Sequence, residues 1–233
     1  MIVAGNWKMY PGPDPATLAA RLRGIDGVEA IVCPPYTGLA ACVETGLTTF
    51  AQNVHWEGEG AFTGEISVPM LTGLGVTGSI VGHSERRQYF GETDEDVARR
   101  ARAALEAGLR VIACVGETRE ERDAGETEIV LRVQLAGIAA ACGSHEQLLI
   151  AYEPVWAIGT GAVATPAMAQ EAHAIVKSVV DLPVLYGGSA KPENVAELFS
   201  EPDVDGALVG GASLRVETFA AICEIAAAAD AVR

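Results

Sequence analysis

Four polar side chains of this sequence stand just beyond short apolar runs. Asn6 and Lys8 follow Ile2-Val-Ala-Gly5, His83 follows Ser79-Ile-Val81, and Glu153 follows Leu148-Leu-Ile-Ala-Tyr152. An amide, an ammonium, an imidazole and a carboxylate brought to one place form a set able to move a proton next to a carbonyl group. Pro154 biases Glu153 toward extended geometry, as a base held at a strand end requires. The stiff Pro154-Val-Trp156 hinge and the tip Gly159-Thr-Gly161 read as a loop that could close over a ligand. Two glycine turns, Gly187-Gly-Ser189 and Gly210-Gly211, let a backbone approach a ligand closely. Paired N–H groups there suit a phosphate dianion, with Ser189 adding a hydroxyl donor. Each piece also has a plainer reading: Lys8 as a solvated charge, Asn6 as a turn residue, His83 as a structural histidine, the glycines as tight turns.

These groups need elements to hold them. Strands are expected at Ile2–Trp7, Ala30–Cys33, Thr48–Gln52, Ser79–Val81, Arg110–Val115, Leu148–Tyr152, Pro183–Tyr186 and Gly206–Val209. Several are continuously apolar, as strands covered on both faces should be. Helical spacing of apolar residues marks Asp94–Ala107, with Gly108 at its stop, and also Glu126–Ala141, Thr165–Val179 and Arg215–Ala229. Thr165-Pro166 reads as an N-cap followed by proline at the first helical position. Eight strand–helix units without a linker predict one parallel α/β domain over residues 1–233. A closed eight-fold barrel and an open doubly wound sheet both fit that pattern.

Composition narrows the function. A formal charge of −15 argues against nucleic acid and against an anionic membrane surface. It leaves room for a small anionic substrate, because backbone N–H groups can hold phosphate. Five scattered cysteines without a C-x-x-C pair point to reduced thiols and a cytoplasmic setting. No signal peptide and no membrane-spanning run is expected. His83 and Glu85 spell H-x-E, but no P-C-x-x-C completes a zinc deaminase site, and His55, His145 and His173 lack ligand spacing. No metal is expected.

Eight segments occur in order: Ala4-Gly-Asn-Trp-Lys-Met9, Ala51-Gln-Asn53, Gly60-Ala-Phe-Thr-Gly-Glu65, Val81-Gly-His-Ser-Glu-Arg-Arg87, Cys114-Val-Gly-Glu117, Tyr152-Glu-Pro-Val-Trp-Ala-Ile-Gly-Thr-Gly161, Tyr186-Gly-Gly-Ser189 and Val209-Gly-Gly-Ala-Ser-Leu214. Together they resemble the triosephosphate isomerase family from the first strand to the last helix. The resemblance implies a single-domain, eight-stranded parallel (β/α)8 barrel. It implies interconversion of dihydroxyacetone phosphate and D-glyceraldehyde 3-phosphate through an enediolate, without a cofactor. Glu153 would then be the base, His83 the group that polarises the carbonyl, Lys8 a fixed positive charge and Asn6 a neutral donor. Gly159, Ser189, Gly210 and Gly211 would hold the phosphate, and Glu85 would anchor Lys8. The family is typically a homodimer. Loop 52–65 would enter the neighbouring subunit and bring Thr63 to the partner's Asn6, with Trp56 and Phe62 buried between subunits.

The sequence departs from the family pattern at Ala162-Val-Ala164, where a lysine is usual after Gly161, and in the short segments Tyr10–Val28 and Lys177–Pro183. The competing expectations are a same-fold isomerase of a four-carbon sugar phosphate, a Schiff-base aldolase built on Lys8, and a non-catalytic phosphate-binding barrel.

Overall fold

The computed structural model describes residues 1–158 and 164–232. Eight parallel strands pair in chain order: β1 (Ile2–Asn6), β2 (Glu29–Cys33), β3 (Thr48–Ala51), β4 (Gly78–Val81), β5 (Arg110–Val115), β6 (Leu148–Tyr152), β7 (Val184–Tyr186) and β8 (Gly206–Val209). β1 pairs with both β2 and β8, placing Ile2 opposite Glu29 on one side and Gly206 on the other. The sheet is thus a closed barrel, and the open-sheet alternative falls away.

Ten α-helices among the described residues surround it: α1 (Pro15–Leu22), α2 (Leu39–Glu44), α3 (Val68–Gly73), α4 (Ser84–Phe90), α5 (Asp94–Glu106), α6 (Arg119–Asp123), α7 (Thr127–Cys142), α8 (Pro166–Val179), α9 (Val195–Phe199) and α10 (Val216–Asp230). Thr93 and Asp96 form a reciprocal capping box at the start of α5, and Thr165 accepts from the Met168 N–H at the start of α8.

The strands are largely apolar because both faces are buried. In β5, Ile112 and Cys114 belong to the cluster inside the barrel, while Val111, Ala113 and Val115 pack in the outer layer. Burying one such aliphatic side chain contributes about 1.5–3 kcal/mol. Phe50 is the largest inward residue, and a Cβ at Gly78 would lie 2.5 Å from its ring. The aromatic ring therefore requires a glycine on the adjacent strand.

Boundaries shift by one residue at five strands. β4 gains Gly78, which pairs with Phe50 and Arg110 on its two neighbours, and each of the other four shifts for a structural reason. Gln52 leaves β3 to turn its amide toward the carbonyls of Lys8 and Cys33. Trp7 lies beyond β1 although its N–H still reaches the Cys33 carbonyl. Glu29 enters β2, where its carboxylate pairs with Arg110. Pro183 stays out of β7; it has no N–H, and Val184 N bonds to the Asp205 carboxylate instead. The C-terminal ends of all eight parallel strands share one rim, where barrels of this kind carry their chemistry.

Candidate active site

Asn6 is the last residue of β1, and its side-chain carbonyl accepts the Lys8 N–H at 2.9 Å. That turn forces Lys8 to φ +51°; it is the sole non-glycine residue with positive φ among the described residues. An L-residue held there costs about 1–2 kcal/mol. Gln52 stabilises the turn, with its amide 2.9 Å from the Lys8 carbonyl. The Lys8 ammonium reaches the Glu85 carboxylate at 2.6 Å.

His83 follows β4 and is the N-cap of α4. Its Nδ1 accepts the Glu85 N–H at 3.3 Å. A nitrogen that accepts carries no proton, so this geometry describes a neutral imidazole with its hydrogen on Nε2.

Glu153 follows β6 and is 2% exposed. One carboxylate oxygen accepts the Ser84 N–H at 2.8 Å; the other accepts the Ser84 hydroxyl at 3.0 Å and faces His83 Nε2 at 3.1 Å. Three donors hold the carboxylate against the start of α4, behind the cavity wall. Burial, followed by the neighbouring Glu153 charge, raises the Cys114 thiol well above its ordinary range. Gly187 permits this packing: a Cβ there would sit 2.8 Å from Glu153 Cγ.

A cavity of roughly 640 Å³ opens at this rim, lined by Asn6, Lys8, His83, Ser189, Gly210 and Gly211 among others. Gly210 brings its backbone close to the lysine: a Cβ there would stand 3.4 Å from Lys8 Cε. Gly159 lies outside the described residues, as does the Ala162 departure. Thr63 stands exposed on its loop and is not among the residues that line the cavity. Trp56 differs from expectation. It is half-buried, stacked on His55 at 4.4 Å with the Arg100 guanidinium 5.0 Å from its ring, whereas Phe62 is exposed. Among the described residues no group of histidine, cysteine and acidic side chains could hold a metal ion.

Three residues escaped sequence reasoning. Ser84 and Gln52 lay inside segments noted for other reasons. Glu117 follows β5 and is fully buried, where its carboxylate accepts from Tyr152 OH at 3.0 Å, Trp156 Nε1 at 2.9 Å and Arg122 at 3.0 Å. It ties the first turn after Pro154 to the barrel. Its signal was the Cys114-Val-Gly-Glu117 run at a strand end, which was not counted among the convergent groups.

The family model described as triosephosphate isomerase matches residues 1–226. Curated relatives named triosephosphate isomerase include those of Citrifermentans bemidjiense, 48% identical with 95% of this chain and 96% of the relative aligned, and of Chloroflexus aurantiacus, 48% identical over 94% and 96%. That of Xanthomonas oryzae pv. oryzae is 47% identical over 97% and 98%.

Proposed function

This chain belongs to the triosephosphate isomerase family, and from that premise we propose how its own residues interconvert dihydroxyacetone phosphate and D-glyceraldehyde 3-phosphate. The observation that carries the assignment of roles is one cavity walled by Asn6, Lys8 and His83, with Glu153 3.1 Å behind the imidazole.

Substrate enters with its phosphate toward Ser189, Gly210 and Gly211. Lys8 lies between that end and the carbonyl, so its fixed charge serves both the phosphate and the developing oxyanion. Glu153 leaves Ser84 and turns into the cavity. The same movement releases His83 Nε2–H, which then donates to the substrate carbonyl instead of to the base. Glu153 takes a proton from the carbon beside the carbonyl, and the electron pair moves to oxygen as an enediolate. His83 gives its Nε2 proton to that oxygen and takes one from the neighbouring oxygen. Glu153 then returns its proton to the other carbon. Atoms and charge balance, and no cofactor is required. Asn6 supplies a neutral donor and Glu85 keeps the ammonium in place. Loop closure excludes water and strengthens each of these interactions.

The same reading extends to assembly: one barrel domain over residues 1–233, paired as a homodimer in the cytoplasm. Met9, Tyr89 and Phe90 are 95%, 71% and 68% exposed, and Phe62 adds another apolar group on loop 52–65. Such surface suits burial against a second copy, with Thr63 reaching the partner's Asn6. No helix among the described residues is long and apolar enough to cross a membrane.

A coupled assay with three-carbon and four-carbon sugar phosphates tests the activity. Glu153→Gln is expected to lower kcat by roughly a thousandfold or more and His83→Ala by about a hundredfold or more. Near-normal turnover in Glu153→Gln would remove the base from the mechanism. Sedimentation, with activity measured over a dilution series, tests the dimer.

A further inference from the structure

The protein carries 31 acidic and 16 basic residues, yet its cavity is assigned to a phosphate dianion. Fifteen of the basic side chains lie among the described residues. Twelve of them stand within 4.0 Å of a carboxylate. The three without such a partner are Arg23, Lys191 and Arg215, all exposed. Two of these three, Lys191 and Arg215, line the mouth of the catalytic cavity. Arg23 caps α1 and lines no part of it.

We propose that Lys191 and Arg215 form a capture site for the phosphate dianion, acting ahead of the catalytic groups at the mouth of the cavity. This rests on the reading of that cavity as the triose phosphate site.

Both residues are held in place by their backbones while their charges stay free. Lys191 N–H donates to Asn194 Oδ1 at 2.8 Å, and Asn194 Nδ2 donates to the Ser189 carbonyl at 2.9 Å. Lys191 is thereby fixed two residues beyond one phosphate-facing turn. Arg215 follows the other such turn and opens α10, where its carbonyl accepts the Phe219 N–H at 3.0 Å. Glu193 lines the same mouth but lies outside ion-pair reach of either cation. An unpaired cation keeps its field for an incoming anion, whereas a paired one does not. In a protein of net charge −15 the mean field repels a dianion, so uncompensated positive charge at the entrance has the most to correct. Lys8 acts on the bound phosphate at close range, but with Glu85 2.6 Å away its charge is largely compensated at the distance of the mouth.

The test compares Lys191→Gln, Arg215→Gln and the double variant with Arg23→Gln, which changes net charge equally at a remote place. At about 10 mM ionic strength each mouth variant is expected to lose roughly threefold in kcat/KM for glyceraldehyde 3-phosphate, and the double variant roughly tenfold, with kcat unchanged. At roughly 0.5 M salt all should converge on the unaltered protein, since the screening length is then only a few ångströms. Calorimetric titration with inorganic phosphate makes the same comparison without turnover. Losses no larger than that of Arg23→Gln, or a deficit that salt does not erase, would overturn the proposal. An unaltered protein that binds phosphate with this pattern but lacks isomerase activity would keep the capture site and sink the functional reading.

Discussion

His173 makes a quantitative statement about acid. It sits on α8 with no exposed surface, its Nδ1 3.1 Å from the Asp203 carbonyl oxygen. Nδ1 therefore carries the hydrogen, and Nε2 has no partner among the described residues. The Tyr152 ring stands edge-on at 5.8 Å and the Tyr186 ring at 6.5 Å. Burial lowers the imidazole from 6.5 to about 4, outweighing the Asp203 carbonyl and the Asp205 carboxylate, which raise it. Lys177, paired with Asp203 and Asp205, opposes protonation from the same side. The native pKa lies below the unfolded one, so the unfolded chain binds more protons throughout that interval. Stability is therefore fully present above about pH 6.5, falls as pH drops toward about 4, and loses nothing more from this group below that. At about 1.4 kcal/mol per pH unit the whole loss is roughly 3 kcal/mol. Urea unfolding of the unaltered protein and of His173→Asn, at one protein concentration across about pH 7 to pH 4, measures it. Asparagine keeps an N–H near the Nδ1 position but cannot titrate. It leaves a void between the tyrosines, so the variant starts about 2 kcal/mol or more lower near pH 7. On acidification the difference between the two proteins should shift by roughly 3 kcal/mol in favour of the variant. Parallel pH dependences of the two proteins, or a native imidazole that titrates above about pH 6 by NMR, would refute the argument.

Two further outcomes follow from packing around the base. Glu117→Ala leaves Tyr152 OH, Trp156 Nε1 and Arg122 without their shared acceptor; it should destabilise the protein by about 3 kcal/mol, and an unchanged urea midpoint would count against the anchor. Gly187→Ala places a Cβ 2.8 Å from Glu153 Cγ and 2.9 Å from the Tyr152 carbonyl oxygen. With the base displaced by even about 1 Å, kcat should fall roughly a hundredfold; unaltered kcat would show that the wall yields.

What the sequence made legible is what local patterning can encode. β5 and β6 match their expected bounds because their residues, Arg110 excepted, are apolar and buried on both faces. The Thr165 cap and Pro166 were equally local signals. Glu29 read as a loop residue because its reason for entering β2 is an arginine 81 positions away. Ser84 was passed over for the same kind of reason: its hydroxyl meets a carboxylate 69 positions distant. Trp56 looked like surface to be covered by a partner, since nothing in its own segment announces the Arg100 guanidinium from α5. The identities of the polar groups at the rim were visible; which of them hold one another in the resting arrangement was not.

The left-handed turn at Lys8 has an unusual chemical corollary. Its φ of +51° is comfortable for a mirror-image amino acid. Glycine would relax the backbone but carry no ammonium, and any other genetically encoded residue would keep the strain. Chirality and charge are thus set against each other at a single α-carbon. A semisynthetic protein bearing D-lysine there is the one chain that satisfies both.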